Sequence, residues 1–354
     1  MVMTHHDVII IGGGQAGLAT ARAATGLGLA PLVLEASDSA TGSWSHYYDS
    51  LTLFSPARCS ALPGKPFPGD PDGYPARDEV VDYLAAYAEH LDAEIRTGQK
   101  VVAVTGAGPG GFEVEVEGAG TLSAARVVAA SGGFGRPHRP HLPGLEDFGG
   151  TVLHSSQYCG PEQISGRRVV IVGGGNSAVQ IGIELAEKAS VTLATRHPLR
   201  FMPQRPFGRD IHLWLKTFGL DTAGWARPLL TGGKGTPVMD TGAYRQAIAQ
   251  GRPDRRPMFR RLDATGVVWA DGTREDVDVV LLATGYRPEL GYLSKAGALD
   301  STGMPLHRQG LSTTHAGLGY VGLEWQRSFA SATLRGVGAD ARHVMTALRA
   351  RPGA

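Results

Sequence analysis

Two stretches of the chain show the same order of apolar, small and helix-forming residues. The first, DVIIIGGGQAGLATA from Asp7, and the second, RVVIVGGGNSAVQIG from Arg168, each begin with an apolar, β-branched run that ends at three glycines. An alanine-rich stretch follows, at 16–24 and at 178–186. Such runs favour strands and alanine favours helices, so the pattern predicts a βαβ unit that occurs twice. The closing strands of the two predicted units are 31–34 and 190–194.

Further elements are predicted between and after the two units. A helix that follows a Pro/Gly-rich loop at 55–75 would place five apolar residues on one face: Val80, Val81, Leu84, Ala88 and Leu91. Alternating and continuous apolar runs predict strands, and a terminal amphipathic stretch predicts a helix. These elements are strands 101–104, 112–116 and 125–130, a hairpin with arms 266–270 and 277–283 around the Asp271-Gly272 turn, and a last helix 338–349.

The simplest topology is an α/β fold with two Rossmann-like dinucleotide-binding domains, one inserted in the other. Residues 1–149 and 284–354 would form one discontinuous domain, because the last helix is predicted to close the first βαβ unit. Residues 150–283 would form the inserted domain. Its segment 198–257 is rich in Pro, Gly and Arg, so an irregular lid or interface is expected there.

Composition and charge narrow the function classes. The 354 residues include 34 Lys and Arg against 33 Asp and Glu, so no overall field favours nucleic acid or an anionic membrane. No apolar run reaches about 18 residues, the length of a membrane span, and no signal segment is expected at the start. Cys59 and Cys159 lie 159 − 59 = 100 positions apart, so neither a CxxC pair nor a metal cluster is expected. A reducing cytoplasm fits this composition.

The first glycine turn has the features of a dinucleotide site. Gly12, Gly14 and Gly17 satisfy GxGxxG between a predicted strand and a predicted helix. They would allow the tight turn, the approach of a pyrophosphate and close helix packing, while the helix N-terminus offers unpaired N–H groups. Glu35 follows Gly12 by 35 − 12 = 23 residues and can accept hydrogen bonds from both ribose hydroxyls. We therefore expect a 2′-hydroxyl cofactor such as FAD.

The second turn differs in charge. Gly173, Gly175 and Ala178 occupy the corresponding places, and Arg196 follows Gly173 by the same 196 − 173 = 23 residues. A carboxylate would repel a 2′-phosphate there, whereas a guanidinium can bind it with paired hydrogen bonds. Thr195 could add a hydroxyl. NADPH is therefore expected at this turn, with two residues that follow the glycines as further contacts: Asn176 and Ser177.

Several motifs resemble those of the flavin-containing monooxygenases. Phe148-x-Gly150-x-x-x-His154-x-x-x-Tyr158 matches the FxGxxxHxxxY signature of that family and ends in tyrosine, where the Baeyer-Villiger relatives have tryptophan. Ala283-Thr284-Gly285 resembles the ATG motif at the junction of the two cofactor domains, and 130–133 resembles a first copy. The short bacterial CzcO-like members are the most similar. His154 and Tyr158 would more often orient the domains than act as acid or base.

The resemblance also implies flavin contacts. Ser43 and Trp44, within Gly42-Ser43-Trp44, resemble the GxW flavin segment of the family, and Val102 and Gly322 are further FAD contacts that the resemblance implies. Segment 317–340 resembles the C-terminal end that covers the flavin. One departure is Ser55-Pro56, which follows a strand expected at 51–54 and stands where the family often has an asparagine beside the flavin.

The resulting hypothesis is an FAD-dependent, NADPH-using monooxygenase. NADPH would reduce the flavin, which would activate dioxygen as a flavin peroxide and oxygenate a small organic substrate at nitrogen, sulfur or a carbonyl. No side-chain nucleophile or acid/base pair is required. The alternatives are an NADPH-dependent reductase or diaphorase that passes electrons to a quinone or protein carrier, and a slow redox-sensing flavoprotein.

Two questions about partners stay open in the sequence. Five arginines form a local basic run that is either a solvated face or a docking surface for an acidic partner: Arg252, Arg255, Arg256, Arg260 and Arg261. The segment 198–257 could also bury a contact between subunits of a homo-oligomer.

Overall fold

A computed structural model describes residues 5–108, 111–226 and 237–350. The α/β class expected from the sequence is confirmed, and the two predicted βαβ units lie in two separate parallel sheets. All strands of the first βαβ unit are buried on both faces because helices and a second sheet cover them.

The larger sheet joins both ends of the chain and has seven strands. Its order is β21-β22-β23-β8-β2-β3-β4, with β23, β8, β2, β3 and β4 parallel. Its strands are β2 Val8–Ile11, β3 Pro31–Leu34, β4 Glu94–Arg96, β8 Val127–Ala129, β21 His307–Arg308, β22 Leu311–Ser312 and β23 Leu318–Tyr320. A four-stranded sheet of order β1-β7-β6-β5 packs against it. Its strands are β1 His5–His6, β5 Val101–Gly106, β6 Phe112–Val116 and β7 Gly120–Ala124.

The second parallel sheet has five strands. Four of them lie between Thr151 and Pro257, and the fifth is 279–282. Its order is β10-β19-β11-β12-β15. These strands are β10 Thr151–His154, β11 Arg168–Val172, β12 Ser190–Thr195, β15 Asp254–Pro257 and β19 Val279–Leu282. A two-stranded antiparallel pair, β9 Arg136–Pro137 with β20 Tyr286–Arg287, lies where the chain passes between the two parallel sheets.

Six helices have bounds in the described residues. They are α1 Gln15–Thr25, α2 Arg77–Ala88, α3 Asn176–Leu185, α4 Ile211–Thr217, α5 Ala243–Ala249 and α6 Leu334–Ala350. Helix α6 packs along α1, as the expected closing of the first domain by the last helix requires. Among the described residues, no helix is both long and apolar enough to cross a membrane.

Three sequence expectations about local structure were wrong. The segment 198–257 is less irregular than expected, because it contains α4, α5, a parallel pair (β13 Phe201–Pro203 with β14 Val238–Asp240) and the edge strand β15. The hairpin at Asp271-Gly272 has shorter arms, since its second arm ends at Asp276 and β19 leaves to join the five-stranded sheet. Residues 51–54 form only an isolated bridge at Thr52 rather than a strand. The antiparallel sheet that carries the hairpin has strands β16 Arg261–Asp263, β17 Gly266–Val268 and β18 Arg274–Asp276.

Candidate functional site

The first glycine turn is packed too closely for any side chain. Gly12 has φ +107°, and a Cβ there would lie 2.8 Å from the carbonyl oxygen of Ala130 at the end of the neighbouring strand. A Cβ on Gly17 would lie 1.8 Å from the carbonyl oxygen of Gly12. These contacts hold the start of α1 directly above the ends of β2 and β8, the edge where ligands bind in parallel sheets.

Glu35 lies beside this turn, and its carboxylate has free hydrogen-bond acceptor positions. Its Oε2 accepts a 2.5 Å hydrogen bond from the Gly13 amide, and its Oε1 accepts from the Ser37 amide at 2.8 Å. The Ser37 hydroxyl is within hydrogen-bonding distance of both Oε1 and the carbonyl oxygen of Ser39. When that hydroxyl turns to Ser39, the carboxylate keeps two of its roughly four acceptor positions, which is enough for two ribose hydroxyls.

The segment 42–44 closes over the same turn. A Cβ on Gly42, which has φ +60°, would lie 2.8 Å from the Cα of Gly14. The indole Nε1 of Trp44 donates a 3.1 Å hydrogen bond to Oε1 of Gln15, the first residue of α1. The exposed Ser43 pairs its hydroxyl with that of Tyr47 at 3.0 Å. The segment therefore forms one wall of the space in front of α1.

Two other expected flavin contacts differ in position. Gly322, with φ +93°, lies against the first turn of α1, where a Cβ would approach Ala16 Cβ to 2.7 Å. Val102 lies at a bulge in β5 with 37% of its surface exposed, and no contact given by the structure joins it to the glycine turn. The structure thus brings Gly322 to the Glu35 site but leaves Val102 apart.

The group that these residues suit is a dinucleotide. The N-cap of α1 is Gly14, and no side chain caps the helix, so its first amides face the space between 42–44 and Gly322. That end of the helix favours a pyrophosphate, and Glu35 favours a ribose with free hydroxyls. FAD fits this site. Among the described residues, no group of three or more His, Cys, Asp and Glu side chains is arranged to hold a metal ion.

The second glycine turn is packed like the first, except that Gly175 has free space beside it. Gly173 has φ +147°, and a Cβ there would lie 2.4 Å from the carbonyl oxygen of Ala283, at the end of β19. Ala178, at the third position, is fully buried. Gly175 caps α3 with its backbone alone, and a Cβ on it would meet no atom within 4 Å. The space in front of α3 is therefore free to receive phosphates.

Arg196 is exposed immediately after β12, as a 2′-phosphate ligand should be. Thr195 differs from the expectation, because its side chain is buried and its Oγ1 accepts a 2.8 Å hydrogen bond from Nε of Arg255. The threonine hydroxyl faces the neighbouring strand β15, so it positions an arginine rather than pointing toward the ligand. Arg256, the next residue of the basic run, instead lies over the ring of Trp269 at 4.4 Å and pairs with Asp271.

The side chain of Asn176 is used within the protein, and Ser177 lies beside a tyrosine of the first part of the chain. Oδ1 of Asn176 accepts a 2.9 Å hydrogen bond from the amide of Met239 in β14. Ser177 lies near Tyr48, whose hydroxyl donates a 2.6 Å hydrogen bond to Oε1 of Gln180 on α3. At these two positions the backbone amides of α3 stay available to a ligand, while the Asn176 side chain fixes β14 to the start of α3. A one-dimensional pattern could not separate these roles.

The FxG part of the family motif has a steric cause. Phe148 is buried, and a Cβ on Gly150 would lie 2.4 Å from its Cζ and 2.6 Å from the carbonyl oxygen of Asp278. Only glycine lets the chain pass between the ring and the start of β19. The pair sets the point at which the chain enters β10.

The His and Tyr of the motif join elements of the two domains. His154 is fully buried, its Nδ1 accepts from the Ser156 amide at 3.1 Å, and its Nε2 lies 3.0 Å from the carbonyl oxygen of Gly285. Burial lowers the pKa of His154, so the ring is neutral with Nε2–H as donor. The hydroxyl of Thr284 donates to the carbonyl oxygen of His138. His154 therefore holds the ATG-like junction in place.

Tyr158 anchors the other side of the junction. Its hydroxyl donates a 2.8 Å hydrogen bond to Oε2 of Glu184 on α3, and burial raises its pKa. Its ring lies 6.2 Å from that of Tyr48. The arrangement supports the expectation that His154 and Tyr158 orient the domains.

A row of aromatic rings runs from Trp44, beside the first turn, to His154 at the ATG-like junction. Trp44 contacts Tyr47, with ring centroids 5.6 Å apart, and Tyr47 contacts Phe134 at 6.2 Å. Phe134 contacts Tyr286 at 5.4 Å, and Tyr286 contacts His154 at 5.0 Å. Burial raises the pKa of Tyr47 to about 12, so its hydroxyl stays protonated. The row therefore links the wall at 42–44 with the ATG-like junction that His154 holds.

One buried polar cluster was missed in the sequence. Asp210 accepts a 2.7 Å hydrogen bond from Nδ1 of His212 and hydrogen bonds from Gln204 and Tyr74, and both Asp210 and His212 are about 4% exposed. Burial by itself would raise the pKa of Asp210, but the hydrogen bonds from His212, Gln204 and Tyr74 lower it to about 2. The available signal was an Asp followed two residues later by His at the start of a short amphipathic stretch, typical of a capped helix.

Comparison with known proteins agrees with this geometry. The family model described as pyridine nucleotide-disulphide oxidoreductase matches residues 9–217. An uncharacterized CzcO-like oxidoreductase of Geobacillus kaustophilus is 32% identical over 96% of this chain and 97% of its own length. The indole-3-pyruvate monooxygenase YUCCA1 of Oryza sativa subsp. japonica is 32% identical over 82% of this chain and 79% of its own. The flavin-containing monooxygenase of Stenotrophomonas maltophilia superposes with a TM-score of 0.86 at 32% identity, over 98% of this chain and 99% of that one.

Proposed function

Since this chain belongs to the pyridine nucleotide-disulphide oxidoreductase family, and within it to the flavin monooxygenases, we propose that it is an FAD-dependent, NADPH-using enzyme that oxygenates a small organic substrate. It is a flavin-dependent oxidoreductase of the monooxygenase type that takes a flavin and a nicotinamide nucleotide. The identities FAD and NADPH, the reacting atom of the substrate and the residue roles below are part of the proposal.

The observation that carries the proposal is the contrast between two otherwise equal sites. Each has a strand, a glycine turn and an uncapped helix, but one ends in the carboxylate of Glu35 and the other in the exposed guanidinium of Arg196. A carboxylate binds ribose hydroxyls and repels a 2′-phosphate, whereas a guanidinium attracts it. Two different dinucleotides are therefore expected, and FAD with NADPH is the pair that satisfies both charges.

The residues divide between the two nucleotides as follows. FAD would be held by the turn at Gly12, Gly14 and Gly17, by Glu35, and by the walls at 42–44 and Gly322. NADPH would be held by Gly173, Gly175, the first amides of α3 and Arg196. When bound, the flavin supplies the two-electron chemistry and activates dioxygen. The protein's part is to align the nicotinamide with the flavin across the aromatic row and to exclude water there.

The sheets support a division of the chain into an FAD domain, 1–149 with 284–354, and an NADP domain, 150–283. The FAD domain would contain the seven-stranded sheet, and the NADP domain would contain the five-stranded sheet. Cys59 and Cys159 are both free thiols, which supports a reducing, cytoplasmic location.

The experiment is anaerobic stopped-flow reduction of the purified yellow holoenzyme by NADPH, followed by mixing with oxygenated buffer. We expect rapid bleaching of the flavin, then a transient absorbance that belongs to neither the reduced nor the oxidised flavin and that lasts longer with bound NADP⁺. Product analysis with an amine, a sulfide and a ketone would then identify the reacting atom. Fast reduction followed by direct return of the oxidised spectrum would overturn the monooxygenase proposal in favour of an electron-transferring reductase.

A further inference from the structure

The buried cluster around His212 lies between the two segments that line the front of the proposed flavin site. Gln204 donates through Nε2 to the carbonyl oxygen of Phe54 at 2.7 Å and to Oδ2 of Asp210 at 2.6 Å. Phe54 precedes Ser55-Pro56, the position that the family resemblance places beside the flavin. Ser55 itself pairs its hydroxyl with that of Ser60 at 2.8 Å. Gln204 therefore links the loop that begins at Phe54 to Asp210 of the inserted segment.

Helix α4 meets the other wall of the same space. His212 and Leu215 are its buried residues, one turn apart and on one face. Leu215 packs with Trp325 and Phe329, which follow Gly322, the glycine that lies against the first turn of α1. The face of α4 that carries His212 is thus directed at the C-terminal segment 322–329 and at the loop that begins at Phe54.

The dyad has the geometry of an oriented base. Oδ1 of Asp210 accepts from both the amide and Nδ1 of His212, at 2.8 and 2.7 Å, so Nδ1 carries the proton. Oδ2 of Asp210 is held by Tyr74 and Gln204, which fixes the carboxylate. Within the described ranges, no residue hydrogen-bonds to Nε2 of His212. His212 is only 4% exposed, but its Nε2 is not one of the fully buried side-chain atoms that lack a hydrogen-bond partner, so this nitrogen stays accessible to a ligand.

We propose that His212, oriented by Asp210, contacts the substrate and accepts a proton from its reacting atom; the inference rests on the oxygenation reaction proposed above. In this step an N–H or S–H bond of the substrate breaks and its electron pair stays on nitrogen or sulfur as the nucleophile. The proton forms the Nε2–H bond of an imidazolium that the Asp210 carboxylate stabilises. The proton later returns to water. Substrates whose reacting atom carries no proton do not need His212.

The test compares two probes that differ in this proton. 1-Hexylamine is an ammonium ion near neutral pH, whereas methyl phenyl sulfide has no proton on sulfur. His212→Asn keeps a donor toward Asp210 and removes the basic nitrogen, and Lys216→Ala on the exposed face of α4 is the matched control. We expect His212→Asn to lower oxygenation of hexylamine by about 100-fold. Oxygenation of the sulfide and anaerobic flavin reduction by NADPH should change by less than about threefold. Equal losses with both probes, or no loss with either, would overturn the proposal.

A second readout does not depend on turnover. In holoenzyme labelled with ¹⁵N-histidine, the His212 ring should show a protonated Nδ1 and an unprotonated Nε2, and saturating hexylamine should shift the Nε2 resonance. That shift supports the contact even if neither probe is oxygenated, an outcome that would count against the proposed function instead. An unmoved Nε2 resonance with hexylamine bound, or with hexylamine unable to bind, would overturn the inference.

Discussion

Nε of Arg255 donates a 2.8 Å hydrogen bond to Oγ1 of Thr195, across the boundary between β15 and β12. The bond lies one residue before Arg196, the residue on which NADPH selection is proposed to depend. Arg255 itself is half-buried on β15, near the end of β12. Thr195 therefore positions a second cation near the place expected for the 2′-phosphate.

Thr195→Val should weaken NADPH binding without touching Arg196. The substitution keeps the volume of the side chain but removes the acceptor that holds Arg255, and loss of one hydrogen bond of about 1 kcal/mol corresponds to about a fivefold rise in Kd. Binding of NADH should be unchanged. Thr192→Val is the matched control, because Thr192 is also buried on β12 but accepts from Arg168. Equal effects of the two variants on NADPH binding would contradict the assignment.

Arg196→Asp should reverse the cofactor preference. Loss of a guanidinium–phosphate contact together with repulsion from the new carboxylate should raise KM for NADPH by about 100-fold, while KM for NADH changes little. Steady-state oxidation of both nucleotides measures the ratio. Arg260→Asp makes the same charge change at an exposed position of the basic run, and it should leave the ratio as it is. An unaltered preference in Arg196→Asp would remove this arginine from the site.

Gly175→Ala should separate ligand binding from folding. The backbone there, at φ −91° and ψ −175°, is open to any residue, and a Cβ meets no protein atom within 4 Å. The free energy of unfolding should change by less than about 1 kcal/mol, since an alanine is tolerated there. The new methyl group would occupy space reserved for the pyrophosphate, so Kd for NADPH should rise by about tenfold or more. Urea unfolding and a binding titration give the two values, with Gly160→Ala as control.

Gly150→Ala, unlike Gly175→Ala, should mainly lower the free energy of unfolding. Its Cβ would overlap Phe148 and the Asp278 carbonyl, so the chain must shift at the entry to β10, at a cost of about 1–3 kcal/mol. The slope of NADPH-dependent flavin reduction against NADPH concentration should also fall, because the domain junction moves. A variant as stable as the wild type would show that the Phe148–Gly150 contact does not position this strand.

Asp210 should make the free energy of unfolding depend on pH in the acid range. Its pKa is about 2 in the folded chain, against about 3.9 in an unfolded one, so the folded state favours the carboxylate. The contribution, about 2 kcal/mol, is complete above pH 4 and is lost as pH falls from 4 toward 2. We therefore expect urea unfolding to show a difference in the free energy of unfolding between wild type and Asp210→Asn, and this difference should become smaller as the pH is lowered from 6 to 3. The exposed Asp82→Asn should show no such trend.

The comparison of sequence and structure separates two kinds of residue. Glycines were interpreted correctly from spacing because a missing Cβ has one cause at each position: Gly12, Gly17 and Gly173 all lie within 3 Å of a backbone oxygen once a Cβ is built. Polar side chains were harder. Asn176 and Thr195 stand beside the second turn in sequence, yet their side chains bond to Met239 and Arg255.

By itself, the sequence determined the two βαβ units and the opposite charges at Glu35 and Arg196, because strand and helix patterns and the glycine turn act over a few neighbouring residues. Only the tertiary structure decided which polar groups face a ligand and which join the domains. It alone placed Gln204 of the inserted segment against Phe54, 150 residues earlier in the chain (204 − 54), and joined both to the Asp210–His212 pair. The reason is physical: a hydrogen bond satisfies a buried group wherever the partner lies in the chain, so its direction follows from packing and not from sequence spacing.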